Sequence, residues 1–227
     1  MMFLYPLGQG SRWDNNELRY SLRSLEKNFT SPFDVAIIGH KPSWLVNALH
    51  IPFTETPGNN AITNTGKKLL EALPSMPESF AWMSDDIYTL KPRTDIPTHH
   101  GGPMKVRIDK LLRKGHSPLG MYLRAFMETY HTLLQEGIRN PLRYDCHTPF
   151  ILERDKVKDL AGKFDIGLHR FKTLYGNMFN VGGTKIRDVK GPGPRGDEEF
   201  FSSRSDVPIA TQRYLKGLFP NPSRFEA

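Results

Sequence analysis

The sequence predicts an α/β protein in which a mostly parallel central sheet carries helices on both faces. Three observations lead there. A short apolar strand, an amphipathic helix and a continuous apolar run succeed one another before residue 40, the order of a βαβ unit with a right-handed crossover. Helical composition followed by an apolar run then recurs and stops abruptly at Ser84-Asp85-Asp86. A chain of 227 residues, 38% hydrophobic and 24% charged, suffices for one domain with a sizeable core.

In chain order, Met2 to Leu7 reads as the first strand and Gly8-Gln9-Gly10-Ser11 as a turn whose backbone can approach a ligand. Asp14 is placed to cap a helix, with Glu17 closing a capping box three residues on. Leu18, Leu22 and Leu25 share one face of that helix, which ends near Asn28. Asp34 to Gly39 is a buried strand, Pro42 to Leu45 a turn with a short helix, and His50 to Phe53 a third strand. Thr63 to Leu73 is helical with Leu69, Leu70 and Leu73 inward, and Phe80 to Met83 is the next strand. Lys91 to Pro118, rich in Pro, Gly, His and basic residues, reads as loops. Met121 to Glu136 is helical with Tyr122, Phe126, Tyr130, Leu133 and Leu134 near one face. Tyr144 to Leu152 is a strand, Glu153 to Lys163 a helix, and Val189 to Gly196 an exposed Gly-Pro loop.

Composition narrows the function. One cysteine, Cys146, excludes an internal disulfide and a zinc site of several thiolates. The excess of 31 Lys and Arg over 24 Asp and Glu, a net charge of +7, suits an anionic partner such as a nucleotide or nucleic acid, although a solvated basic surface gives the same count. No apolar run approaches the roughly 20 residues of a membrane span, and Met1 to Pro6 lacks the form of a signal peptide, so the expected location is cytoplasmic. The chemistry centres on Asp85-Asp86. In open α/β sheets ligands bind outside the carboxyl ends of strands, and two carboxylates there suit Mg²⁺ or Mn²⁺ holding a diphosphate. An Asp pair after a strand is equally an ordinary turn.

Residues Gly10 to Asn28, containing Asn16-Glu17-Leu18-Arg19-Tyr20-Ser21-Leu22-Arg23-Ser24, resemble the block R-x-N-D-E-L-R-Y-S-L-R-S-x-E of the Stealth proteins. Pro42-Ser43-Trp44-Leu45, Ser84-Asp85-Asp86 and Cys146-His147-Thr148-Pro149 resemble later blocks in the same order, and Tyr5 to Ser11 resembles the first. Leu7 or Gln9 stands where that first block has Asp, and Ser84 where the family has Asn. The resemblance implies one domain similar to GT-A glycosyltransferases (Rossmann-like), with residues 1–90 binding a nucleotide sugar and 91–227 facing the acceptor. It implies a UDP-sugar donor, contacts from Leu7, Gly8, Gly10, Ser11, Arg12, Asn16 and Arg19, and a Mn²⁺ or Mg²⁺ ion on Asp85 and Asp86. Compact proteins of this shape occur in phages and polysaccharide clusters, and phage-encoded, the protein would work in the host cytoplasm. The reaction is then glycosyl transfer, with hexose-1-phosphate transfer or a polysaccharide acceptor as alternatives.

Inverting transfer needs a base on the acceptor hydroxyl. His147 is the candidate, as base or metal ligand, and Asp197 and Glu198 beside the Gly-Pro loop are the carboxylate alternatives. Tyr175, Asn177 and Asn180 form a polar patch suited to a sugar or to a helix end. Lys105, Arg107, Lys110, Arg113 and Lys114 permit a DNA acceptor, a hydroxymethylated base extruded from the stack; otherwise the acceptor is a saccharide. A non-enzymatic nucleic-acid-binding protein is the contrasting class, without a helix-turn-helix, RNA-recognition or zinc-finger signature behind it.

Overall fold

A computed structural model describes residues 1–227. The central sheet has five strands in the order β3-β2-β1-β4-β7. They are β1 (Met2–Leu7), β2 (Asp34–Gly39), β3 (Leu49–Ile51), β4 (Ser79–Trp82) and β7 (Phe150–Glu153). The first four run parallel, and β7 is antiparallel to β4, pairing Phe80 with Leu152 and Trp82 with Phe150. Both faces are covered, which explains the unbroken apolar runs. Successive residues alternate between two cores: Phe3, Tyr5, Val35 and Ile37 on one side, Leu4, Ala36, Ile38 and Phe80 on the other.

Helix α1 (Asn16–Asn28) covers the first face through Leu18, Leu22 and Leu25. The second face takes α2 (Ala61–Ala72), α3 (Met104–Arg113), α4 (Met121–Gln135), α5 (Arg154–Lys163) and α6 (Phe171–Met178). Beyond β4, β5 (Ile87–Thr89) pairs with β10 (Phe200–Ser203), which also pairs with β9 (Lys190–Gly191). A two-stranded pair, β6 (His99–His100) and β8 (Thr184–Lys185), and α7 (Ile209–Leu218) complete the fold. The two halves interleave, since β7 and β10, from the second, pair with β4 and β5 of the first.

Several expectations are corrected. The start of α1 is organised by Ser11, not Asp14: the Ser11 hydroxyl accepts from the N–H groups of Trp13 and Asn15 (3.1 and 2.8 Å) and donates to Glu17 (2.8 Å). Asp14 and Asn15 both sit at positive φ, 52° and 56°, a conformation that short polar side chains tolerate. The supposed loop from Lys91 contains α3, whose Met104, Ile108 and Leu111 form a short buried stripe behind Pro103. Leu70, Tyr122 and Leu134 face solvent. The strand expected from Tyr144 begins only at Phe150, after Pro149, and the third strand lies at Leu49–Ile51.

The polar face of α1 has a structural task. Strand β5 pairs with β10 along one edge, and side chains of α1 satisfy the other. Ser21 donates to the Ile87 carbonyl (2.6 Å), Ser24 accepts from the Thr89 N–H (2.9 Å) and Asn28 donates to the Thr89 carbonyl (2.7 Å). A buried strand edge would otherwise carry unpaired backbone groups.

Candidate active site

The sheet order reverses at β1, with β2 on one side and β4 on the other, and a crevice at such a switch point opens at the carboxyl ends of the strands. A cleft of about 480 Å³ lies there, lined by Leu7, Gly8, Gly39, His40, His50 and Phe53 among others. Gly39 is required at this point: its φ is +108°, and a Cβ would stand 2.2 Å from the Leu7 carbonyl oxygen. Behind the cleft the buried Lys68 ammonium donates to that same carbonyl (2.9 Å) and to Glu55 (2.6 Å).

Asp85 and Asp86 follow β4 at the other side of the crevice. Burial, then the neighbouring Asp86 and Glu17, push the Asp85 carboxyl up to about 7. Asp86 is neutralised by Lys190, whose ammonium lies 2.6 Å from Oδ2. Glu17, Asp85 and Asp86 share one lysine, so the cluster stays net negative even with the Asp85 carboxyl part-protonated, and the pair fits a cation. No three His, Cys, Asp or Glu side chains converge as a cage. A hard divalent ion held here by Asp85 and Asp86 would complete its shell with water and ligand oxygens, the usual arrangement for Mg²⁺ with a diphosphate.

A second pocket, of about 240 Å³, is lined by Trp82, Ser84, Cys146, His147, Phe171 and Lys172 among others. Ser84 joins it to the acidic pair. His147 Nδ1 lies 2.9 Å from Asp188 Oδ1, and Arg143 stands 3.8 Å from the other oxygen of Asp188. Burial alone pushes the Asp188 carboxyl up, but the hydrogen bond and charge of His147 with the Arg143 charge outweigh it and hold Asp188 far below the ordinary range. In the neutral imidazole, an Nδ1–H bond to Asp188 leaves Nε2 of His147 as the acceptor nitrogen. Lys172 donates to the carbonyls of Cys146 (2.7 Å) and Thr148 (3.3 Å), fixing the loop that carries His147.

The other expected residues distribute as follows. Leu7 and Gly8 line the strand-end cleft. Gly10 has open space where a Cβ would stand. Ser11 and Asn16 are engaged in the turn before α1, Asn16 donating to the Trp13 carbonyl (2.7 Å), and Arg12 is exposed. Arg19 lies over Trp44 (4.6 Å) and faces Glu226 (3.3 Å), which ties it to the C-terminal residues and not to the groups around Asp85. Asp197 and Glu198 line a separate groove of about 430 Å³; Asp197 is paired with Lys91 and Glu198 accepts from the Arg195 N–H, so neither joins His147. Asn177 is consumed by both backbone groups of Leu142 and by the Thr173 carbonyl. Among the basic residues of α3, Lys105 pairs with Asp109 and Arg107 donates to the Tyr122 hydroxyl, whereas Lys110, Arg113 and Lys114 are exposed.

Sequence reasoning missed Asp188, Lys190, Lys172, Lys68 and Glu55. The signal for Asp188 and Lys190 was masked by their place at the start of a Gly-Pro segment. No helix is long and apolar enough to cross a membrane. No protein-family model and no curated protein sequence matches the chain. Among solved structures it is similar to mouse xyloside xylosyltransferase 1 in its apo form, with 10% identity and a TM-score of 0.37 over 79% of this chain and 80% of that one.

Proposed function

We propose that the protein is a metal-dependent glycosyltransferase of the GT-A type using a nucleotide sugar, with UDP as the carrier. The observation behind this reading is the acidic pair that follows β4, next to the switch point at β1 from which a cleft opens at the carboxyl ends of β1, β2 and β3. The cleft around Leu7, Gly8 and Gly39 receives the nucleoside, and the diphosphate reaches toward Asp85 and Asp86. A divalent cation bound with it would offset the negative charge that develops on the leaving group. Nε2 of His147 takes the proton from the acceptor hydroxyl as its oxygen bonds to the anomeric carbon and the bond to the diphosphate breaks. Asp188 positions the ring and stabilises the imidazolium that results.

The test is a thermal-shift titration of UDP with and without Mn²⁺. A ligand that binds only the folded state raises stability by mass action, about 2.7 kcal/mol at a hundred times its Kd. Wild type is expected to show a UDP shift that grows with Mn²⁺, and Asp86→Ala to lose the metal-dependent part. Undiminished metal-dependent affinity in Asp86→Ala would remove the acidic pair from the site, and no UDP shift under any condition would return the protein to the binding-module class.

A further inference from the structure

Three of the apolar side chains that the fold leaves exposed meet at one hollow. Leu119, Leu168 and Met121, 89%, 57% and 49% exposed, line a groove of about 390 Å³ together with Ile62 and Ala125. Single exposed leucines need no explanation, whereas a cluster around a concave surface is the form of a ligand groove. The charged side chains lining it, Arg124 and Glu128, face each other at 3.7 Å and offset each other. The exposed cations Lys110, Arg113 and Lys114 of α3 do not line it. The groove therefore joins an apolar cluster to an offset ion pair and is close to neutral, unsuited to a polyanion.

Its position gives it a purpose. Ile62 of α2 and His169 line both this groove and the pocket of His147, so the two hollows share a wall. A molecule with its polar end beside His147 can lay its other end across Ile62 against Leu119, Met121 and Leu168. The far pocket offers groups for a polyol: Ser84, Asp145 and Lys172 with the rings of Trp82 and Phe171.

We infer that the acceptor is a neutral amphiphile, a sugar hydroxyl at His147 joined to an apolar aglycone or chain that lies in the groove of Ile62, Leu119, Met121 and Leu168. This rests on the glycosyl-transfer reading and narrows its acceptor. The experiment is equilibrium binding, by titration calorimetry, of methyl, butyl, hexyl and octyl glucosides below their micelle concentrations, with UDP titrated separately. Affinity is expected to rise about twofold per added methylene, less than the roughly fourfold of full burial because the groove is open. In the double variant Leu119→Asp, Leu168→Asp the rise with chain length should vanish while methyl glucoside binds as before; both side chains are exposed, and a melting curve checks the fold. Affinity independent of chain length, or the same rise in the double variant, overturns the inference. So does displacement of octyl glucoside by duplex DNA at low salt, which would give the groove to nucleic acid. Failure of UDP to bind while the chain-length effect holds would instead refute the nucleotide-sugar reading and leave the groove's ligand class standing.

Discussion

Asp188→Asn separates the roles of charge and shape at His147. The amide keeps the size of the carboxylate but removes the charge that faces His147 Nδ1 at 2.9 Å and Arg143 at 3.8 Å. A charge-assisted hydrogen bond contributes about 1.5–3 kcal/mol. Both partners are about one-third exposed, and solvent screening reduces this to about 1–2 kcal/mol at pH 7. The sign of the pH dependence follows from the depressed Asp188 carboxyl. Between its folded and unfolded values the unfolded chain binds more protons, so the stabilisation is complete above the unfolded value near 4 and is lost as pH falls through the folded one. Urea melts should show wild type ahead of the variant at pH 7 and the gap narrowing below about pH 4. In the proposed glycosyl transfer the variant leaves the strand-end cleft untouched, so donor KM should hold while kcat falls about a hundredfold, the scale of general-base assistance. A stability gap that is absent at pH 7, or unchanged at pH 3, would refute the contact. An unchanged kcat would refute its part in the chemistry.

Gly66→Ala tests two opposed effects: alanine favours a helix by about 1 kcal/mol, but here its Cβ would stand 2.8 Å from the Gly167 Cα, so the variant should melt below wild type. Glu226→Ala removes a carboxylate that Arg23 grips with two hydrogen bonds (2.8 and 2.6 Å) and Ser223 with two more, and should cost about 2–3 kcal/mol in denaturant unfolding. Burial there pushes the carboxyl up, but the Arg23 and Ser223 bonds prevail and lower it, so this contribution too is expected to fade on acidification. Cys146 is buried, which pushes its thiol up to about 11; alkylation of the native protein at pH 8 should be slow and should accelerate in urea, and rapid native labelling would contradict the packing.

What could be read from the sequence follows how local each cause is. Strands buried on both faces write themselves as apolar runs, so β1, β2 and β4 were legible, and the acidic pair was visible because it ends such a run. Helix α3 was hidden because its inward stripe is only Met104, Ile108 and Leu111, set among Pro, Gly and basic residues. The partners that complete the site are distant: Asp188 lies 41 residues from His147, and Lys190 lies 104 from Asp86. Periodicity carries no information over such separations. The polar residues of α1 show a different limit. Ser21, Ser24 and Asn28 belong to the segment that most resembles a sugar-transferase motif, yet each bonds to the backbone of β5. A buried polar side chain serves either a ligand or an otherwise unpaired backbone group, and both demands select the same residue types at the same helical spacing. What separates them is the partner atom. Where it belongs to this chain's own backbone, as in α1, the motif reports how the edge of β5 is held in place. Where no side chain of this chain bonds to the buried carboxyl, as at Asp85, the residue is the one to test for a ligand.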